Sequence, residues 1–251
     1  MIKAEIIVIG GGMLGPAIAG GMTQGGADVV MLDEGDVALR AARGNFGIVW
    51  YQSKGLGEQH YAEWTLESIG LWQGFADRLE ATTGVAIDYQ KPGGLILCIG
   101  DEELEERRSF LSQMRQQAGG NSDGRRMLDR AEIQALLPDI EISAAVTGGS
   151  FCPHDGQVNP LYLIRAMHAA FIHSGGRYYP GHKATAIERA GGDFVVTTES
   201  GRFSAAKVVL AAGHGIAKLA PMVDLRIPLV AERGQILVTE RTRPILPVVV
   251  S

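Results

Sequence analysis

The chain has 251 residues, 46% of them hydrophobic and 20% charged, which is an ordinary globular composition with ample material for a core. A net charge of −5 and the absence of a basic stripe point away from a nucleic-acid partner. Cys98 and Cys152 are too few and too far apart in sequence for a disulfide framework, and read as reduced thiols of a cytoplasmic protein.

Between Glu5 and Asp28 there is no charged side chain. A membrane-spanning helix needs about 20 mostly apolar residues. Here the window is broken by Gly10-Gly11-Gly12, Gly15-Pro16 and Gly20-Gly21. A signal peptide carries basic residues before its apolar core and a cleavage site after it, whereas here one lysine precedes a short apolar run and then glycines. No transmembrane segment is expected. A phosphate cradle fits instead. Glu5–Ile9 reads as a buried strand, and Gly10-x-Gly12-x-x-Gly15 follows at once. Met13 to Met22 reads as a helix of small residues, and Asp28–Leu32 as a second strand. Asp33 closes that strand, about 18 residues after Gly15. In such a unit Gly10 allows the tight turn, Gly12 lets the backbone approach a pyrophosphate, and Gly15 lets helix and strand come close. The helix N-terminus offers free N–H groups to the phosphates, and Asp33 accepts from a ribose. Asp33 and Glu34 place two negative charges where a 2′-phosphate would sit, which argues against NADP(H). The motif by itself fits NAD or FAD.

The glycine-rich stretch that follows, with Arg40, Arg43, Trp50 and Tyr51, is not the regular next β-α unit of an NAD domain. It reads either as a surface loop or as a loop that runs past a cofactor. Glu58 to Leu79 reads as a long helix, with Tyr61, Trp64, Trp72, Phe75 and Leu79 as a core-facing stripe. His60 stands near its start, where a structural role competes with a catalytic one. Leu95–Ile99 reads as a strand. Asp101 is placed to cap a helix running to Gln117, and LDRAEIQALLP reads as a second short helix closed by Pro138. These pieces indicate an inserted second domain. Asn159 suits a helix N-cap and Pro160 the first helical position, with Ile164, Met167, His168 and Phe171 on a buried face and Gly175-Gly176 as the stop. Cys152, His154 and Asp155 match no standard metal spacing, so no metal is expected. Three strands are expected between Lys183 and Ala211, and another at Gln235–Thr239.

Four stretches, IIVIGGGMLG...VVMLDEG, DGQVNPLYLIRAMHAAF, KVVLAAG and ERGQILVTE, together resemble the FAD-dependent D-amino-acid oxidase, glycine oxidase and sarcosine oxidase family. The stretches RGNFGIVWYQSKGLG and QKPGGLILC resemble one branch of it, the β subunits of bacterial D-hydroxyproline dehydrogenase, opine oxidases and hydrogen cyanide synthase. The resemblance implies an α/β fold, α+β overall: a Rossmann-like FAD-binding domain over 1–84 and 145–218, with an inserted, mainly β substrate domain over 85–144 and 219–251. It implies that Gly10, Gly12, Met13, Leu14 and Gly15 hold the FAD pyrophosphate, with Asp33 and Glu34 at the adenosine ribose. Arg43, Gly44, Asn45, Phe46 and Gly47 match the segment that passes the pyrophosphate and isoalloxazine. Ala184 matches the backbone contact to adenine, and Ala211, Ala212 and Gly213 a small-residue segment against the cofactor. His214-Gly215 departs from the aromatic or polar residue usual after that glycine.

The activity so implied is oxidation of the C–N bond of a small amino or imino acid by hydride transfer to flavin N5, followed by hydrolysis of the imine. The free amine is the reactive form, because its nitrogen lone pair assists, and no general base is nominated. Trp50, Tyr51, Gln52 and His60 are the candidates for the flavin cavity. Electrons are expected to leave through other redox subunits of a dehydrogenase complex. That implies a cytoplasmic hetero-oligomer, with partner subunits as a route to peripheral placement at the inner face of the membrane. The alternative is a non-catalytic FAD-binding subunit. Family members are longer, so the chain is expected to be a fragment, lacking the usual anchor for the substrate carboxylate and leaving Val248–Val250 as an unpaired edge.

Overall fold

The computed structural model describes residues 1–35, 41–120, 123–240 and 243–251. Arg40, which the sequence placed in the glycine-rich loop, lies outside them. The chain divides into two compact units: Met1–Phe46, Arg78–Ile87 and Pro160–Ile236 form the first, and Gly47–Asp77, Asp88–Asn159 and Leu237–Ser251 the second.

The first unit opens with β1 (Ile2–Ile9), α1 (Leu14–Gln24) and β2 (Val29–Leu32). In the second unit come β3 (Ile48–Val49), α2 (Gln59–Thr83, whose last turns belong to the first unit), β4 (Gly94–Ile99) and α3 (Gly100–Gln117). These are followed by β5 (Arg126–Asp129), α4 (Arg130–Leu136), β6 (Val146–Cys152) and β7 (Gly156–Gln157). The chain returns to the first unit with α5 (Pro160–His173), β8 (Arg177–Tyr179), β9 (Ala184–Ala190), β10 (Asp193–Thr198), β11 (Gly201–Leu210) and the short α6 (Ile216–Leu219). Finally β12 (Val249–Val250) joins the second.

The first unit is a six-stranded sheet in the order β8-β2-β1-β11-β10-β9. β8, β2, β1 and β11 run parallel, while β10 is antiparallel to both β11 and β9. The two-residue period of β1 divides its side chains between two cores. Ile6 and Val8 pack with Ala19 of α1 and Phe171 of α5, whereas Ile7 and Ile9 pack with Phe203, Ala205 and Leu219 on the other face. Phe171 is fully buried, so its truncation costs about 3–5 kcal/mol. On α5 the buried face is Leu163, Ala166, Met167, Ala170 and Phe171. Ile164 and His168, expected there, are only half-buried.

In the second unit β12-β4-β6-β5 form a sheet covered by Ile133 and Leu137 of the α4 segment, and β3-β7 form a separate pair. Residues 145–159 fall in this unit because β6 pairs with β4 and β5. α4 is capped as its sequence suggests: Asp129 accepts from the Glu132 N–H at 2.8 Å, and Glu132 from the Asp129 N–H at 2.9 Å.

Four expectations are corrected. Asp101 does not cap α3; Ile99 is the N-cap, and Glu103 reaches back to accept its N–H at 2.7 Å. Tyr61 and Trp64 do not face a core, since both are exposed while Ala62 and Ile69 turn inward. Gln235–Thr239 forms no strand, because among the described residues no partner pairs with it; Leu237 and Val238 are almost fully exposed. Val248–Val250 is not left unpaired. Val249 and Val250 pair in parallel with Gly94 and Leu95, and Val248 is buried beside Leu95.

Candidate functional site

In the first unit β1 delivers the chain into its glycine loop at the edge where β2 and β11 also end. Gly10 donates its N–H to the Leu32 carbonyl at 2.8 Å, and Ala211 donates to Ile9 at 2.8 Å. Gly10 adopts φ +117°, and a Cβ there would strike the Ala211 carbonyl. A Cβ at Gly15 would overlap the Gly10 carbonyl oxygen, so the helix start and the strand end meet backbone to backbone. Gly12, by contrast, has among the described residues only the Ala42 methyl within reach, at 3.6 Å from such a Cβ. Met13 is the N-cap of α1 with no side-chain cap, and the first turn holds no acid. The positive end of the helix thus faces the loop uncompensated by its own residues, as an anion site requires.

Asp33 is buried at the end of β2. Its carboxylate accepts from the Gly11 N–H at 2.6 Å and the Gly35 N–H at 2.9 Å. Glu34 is exposed beside Lys183, 3.6 Å away. Leu14 is exposed and Met13 half-buried. Arg43, Gly44 and Phe46 are exposed, and Asn45 donates to the Ala42 carbonyl at 2.8 Å. Ala184 opens β9 opposite Thr198, and it packs, like Ala212, on the core around Ile9. Gly213 begins an exposed 3₁₀ turn, Gly213–Gly215. The structure therefore brings Gly10–Gly15, Asp33 and Ala211 together at one end of the parallel sheet.

In the second unit Gly47 is buried and accepts from the Val158 N–H at 2.9 Å. Tyr51 and Gln52 are buried, in a polar cluster built by residues distant in sequence. Asp155 Oδ1 accepts from the Tyr51 N–H at 2.6 Å and the Gln52 N–H at 3.3 Å, while Oδ2 accepts from the Gln52 amide at 2.8 Å. The side-chain oxygen Oε1 of Gln52 accepts from Ser150 Oγ at 2.8 Å and Arg107 Nη2 at 2.9 Å. Arg107 Nε also donates to Ser150 Oγ at 2.7 Å. Burial raises Asp155 above the usual carboxylate range, against the opposing effect of these hydrogen bonds. Burial pushes the Arg107 guanidinium down to about 10, which leaves it charged at neutral pH. Trp50 is half-buried, and a Cβ at Gly94 would meet both its ring and Asp155.

Tyr51 Oη donates to Asp123 at 2.7 Å, and Arg125 chelates the same carboxylate at 2.9 and 2.5 Å. Burial works against the Asp123 carboxylate, but hydrogen bonds from Arg125 and Tyr51 outweigh it and hold the group below its ordinary value. Tyr51, Leu66, Met114, Asp123, Arg125 and His154 line a cavity of about 440 Å³. Arg125 Nη1 is buried there without a hydrogen-bond partner among the described residues. His60 is fully exposed on the first turn of α2, with Glu63 3.7 Å away.

Local sequence did not disclose the Asp155–Gln52–Arg107–Ser150 cluster, the Asp123–Arg125 pair, or His168. The Nε2 of His168 lies 2.9 Å from the Gly11 carbonyl oxygen. Among the described residues no cluster of His, Cys, Asp and Glu could hold a metal, and no helix is long and apolar enough to cross a membrane.

Comparison with known proteins agrees with the architecture. A subunit of the opine oxidase of Agrobacterium tumefaciens (strain Ach5) is 38% identical over 98% of the chain, and the match spans 66% of that protein's length. Glycine oxidase from Geobacillus kaustophilus superposes with a TM-score of 0.82 at 24% identity, covering 90% of this chain and 60% of that one. L-α-glycerophosphate oxidase from Mycoplasma pneumoniae, solved with FAD bound, gives a TM-score of 0.74 at 18% identity over 88% of this chain and 57% of that one. The FAD dependent oxidoreductase family matches residues 5–250. That match covers nearly the whole chain, and the chain belongs to the FAD dependent oxidoreductase family.

Proposed function

We propose that the chain supplies the cofactor cradle and part of the substrate chamber of an FAD-dependent oxidoreductase. Its substrate is a small amino or imino acid of the D-amino acid, D-hydroxyproline, glycine or opine type. The observation that carries the reading is the cradle itself: the backbone collision that only glycine avoids at position 15, the open approach at Gly12, and Asp33 fixed beside them. Gly10, Gly12, Met13, Leu14 and Gly15 take the pyrophosphate, and Asp33 and Glu34 the adenosine ribose. Arg43, Gly44, Asn45, Phe46, Gly47, Ala184, Ala211, Ala212 and Gly213 line the rest of the cofactor. FAD, when bound, supplies the acceptor for the hydride from the substrate carbon bearing nitrogen.

The second unit contributes the segment Trp50–Gln52. Gln52 spends both ends of its amide on Asp155, Gly94, Ser150 and Arg107, so it acts as scaffold for Trp50 and Tyr51. The exposed His60 is assigned no contact with the reacting atoms. Electrons pass on to other redox subunits, a reading drawn from the opine oxidase relatives, whose names make them parts of multi-subunit enzymes. The same names favour a second reading, an FAD-binding subunit with no turnover of its own.

The test is the visible spectrum of the purified chain before and after denaturation. Flavin bands, with FAD released on denaturation, support the cofactor reading. Bleaching of those bands by an amino acid or opine under anaerobic conditions supports the catalytic reading over the second. A colourless protein that takes up no added FAD counts against both.

A further inference from the structure

We propose that His168 is a positioning residue for the cofactor loop, holding the Gly11 carbonyl while Asp33 holds the Gly11 N–H. The proposal rests on the FAD reading given above and deepens it. Both backbone polar groups of Gly11 are committed to side chains, the N–H of the Gly10–Gly11 peptide and the carbonyl of the Gly11–Gly12 peptide. The N–H of Gly11 donates to Asp33 Oδ2 at 2.6 Å, and its carbonyl lies 2.9 Å from His168 Nε2. A carbonyl oxygen only accepts, so Nε2 carries the proton and donates. The two anchors come from different elements, the end of β2 and the middle of α5. The imidazole is itself held: the Tyr178 ring meets it edge to face, with centroids 4.6 Å apart and planes at 76°. Tyr178 stands on β8, in register with Met31 of β2.

The glycine loop needs such help. Three consecutive glycines have the widest backbone freedom a sequence can offer, and that freedom is lost when the loop is ordered around a phosphate. Fixing the peptide groups on both sides of Gly11 aims the next N–H groups, those of Gly12, Met13 and Leu14, before the ligand arrives. Much of the ordering cost is then met in the folded protein rather than from binding energy. A structural histidine that served only the packing of α5 against the sheet would affect stability and leave affinity for the cofactor alone.

The test compares the full chain with His168→Leu, which removes the donor, and His168→Gln, which keeps one. FAD dissociation constants are read from quenching of flavin fluorescence, and amide hydrogen exchange is followed over Gly10–Leu14 without cofactor. Thermal midpoints of the cofactor-free proteins are taken alongside. We expect His168→Leu to weaken FAD binding about five- to tenfold, the worth of one hydrogen bond, with His168→Gln within about twofold of the parent. Exchange at Gly12 and Met13 should quicken in the leucine variant. Equal FAD affinity in parent and leucine variant overturns the proposal, whatever the thermal midpoint does. If the parent itself takes up no FAD, the cofactor reading fails and hydrogen exchange decides the rest. Faster exchange in His168→Leu sustains the anchoring of the loop, and unchanged exchange ends it.

Discussion

In the proposed cradle, position 15 has no room for a single methyl group. A Cβ there would overlap the Gly10 carbonyl oxygen, and neither the strand nor the helix can retreat without giving up its packing. Gly15→Ala is expected to purify with less than about a tenth of the parent's flavin while keeping its far-ultraviolet circular dichroism; a normal flavin content would refute the cradle. Asp155 is the counterpart in the second unit. Its removal leaves the N–H groups of Tyr51 and Gln52 and the Gln52 amide without their acceptor. Asp155→Ala should lower stability by about 2–4 kcal/mol in urea denaturation, well beyond a surface substitution. Glycine spacing and the acid at residue 33 were legible in sequence because the cradle is built within one short β-α-β unit. Asp155, Arg107 and His168 were not. Their partners lie far along the chain, and nothing local distinguishes a buried anchoring side chain from an exposed one.

Elements were legible where period and punctuation agreed. β1, α1, β2, α4 and β9 to β11 follow their apolar periods, turns and caps. The capping box of α4 is worth about 1 kcal/mol, and Asp129→Ala should lose about that much in urea denaturation. Failures arose where an element depends on a distant partner. Gln235–Thr239 has strand composition but no neighbouring edge among the described residues, while the two residues of β12 become a strand because β4 offers one. Hydrogen bonds from Val249 to Gly93, from Ser251 to Leu95 and from Leu97 to Ser251 stitch that edge. Val248→Asp, which puts a charge among Leu95, Ile142 and Val146, should therefore destabilise the second unit by roughly 3 kcal/mol, read as a lower urea midpoint. On α2 the aromatic spacing suited a buried stripe, yet Trp64 is 68% exposed, since amphipathic spacing fixes a face but not what covers it.

For the whole molecule the buried proton-bearing groups set an alkaline limit. Burial, aided by the nearby Asp155 charge, pushes the Cys152 thiol up to about 12, and burial raises Tyr51, Tyr89 and Cys98 as well. The folded protein keeps these protons where the unfolded chain has released them. Their contribution is full below about pH 9, the unfolded thiol's range, and is lost as pH rises through the folded values. Stability should fall between pH 8 and pH 10 by about 1.4 kcal/mol from Cys152 alone. Cys152→Ala should flatten that slope, whatever it does to stability at pH 8. A slope identical to the parent's would show that the thiol ionises freely in the folded state.

The parallel pairing of β1 with β11 also carries a consequence for how the protein is made. Ile9 meets Leu210, so β1 leaves the ribosome and then waits for a neighbour encoded about 200 residues later. At usual rates of translation that wait lasts roughly 10–40 s. Throughout it, the apolar run Ile6–Ile9 has at most one of its two flanking strands available. A nascent chain of this design is a natural client for chaperones, and slowing the ribosome over its middle segments would lengthen the exposure rather than aid the fold.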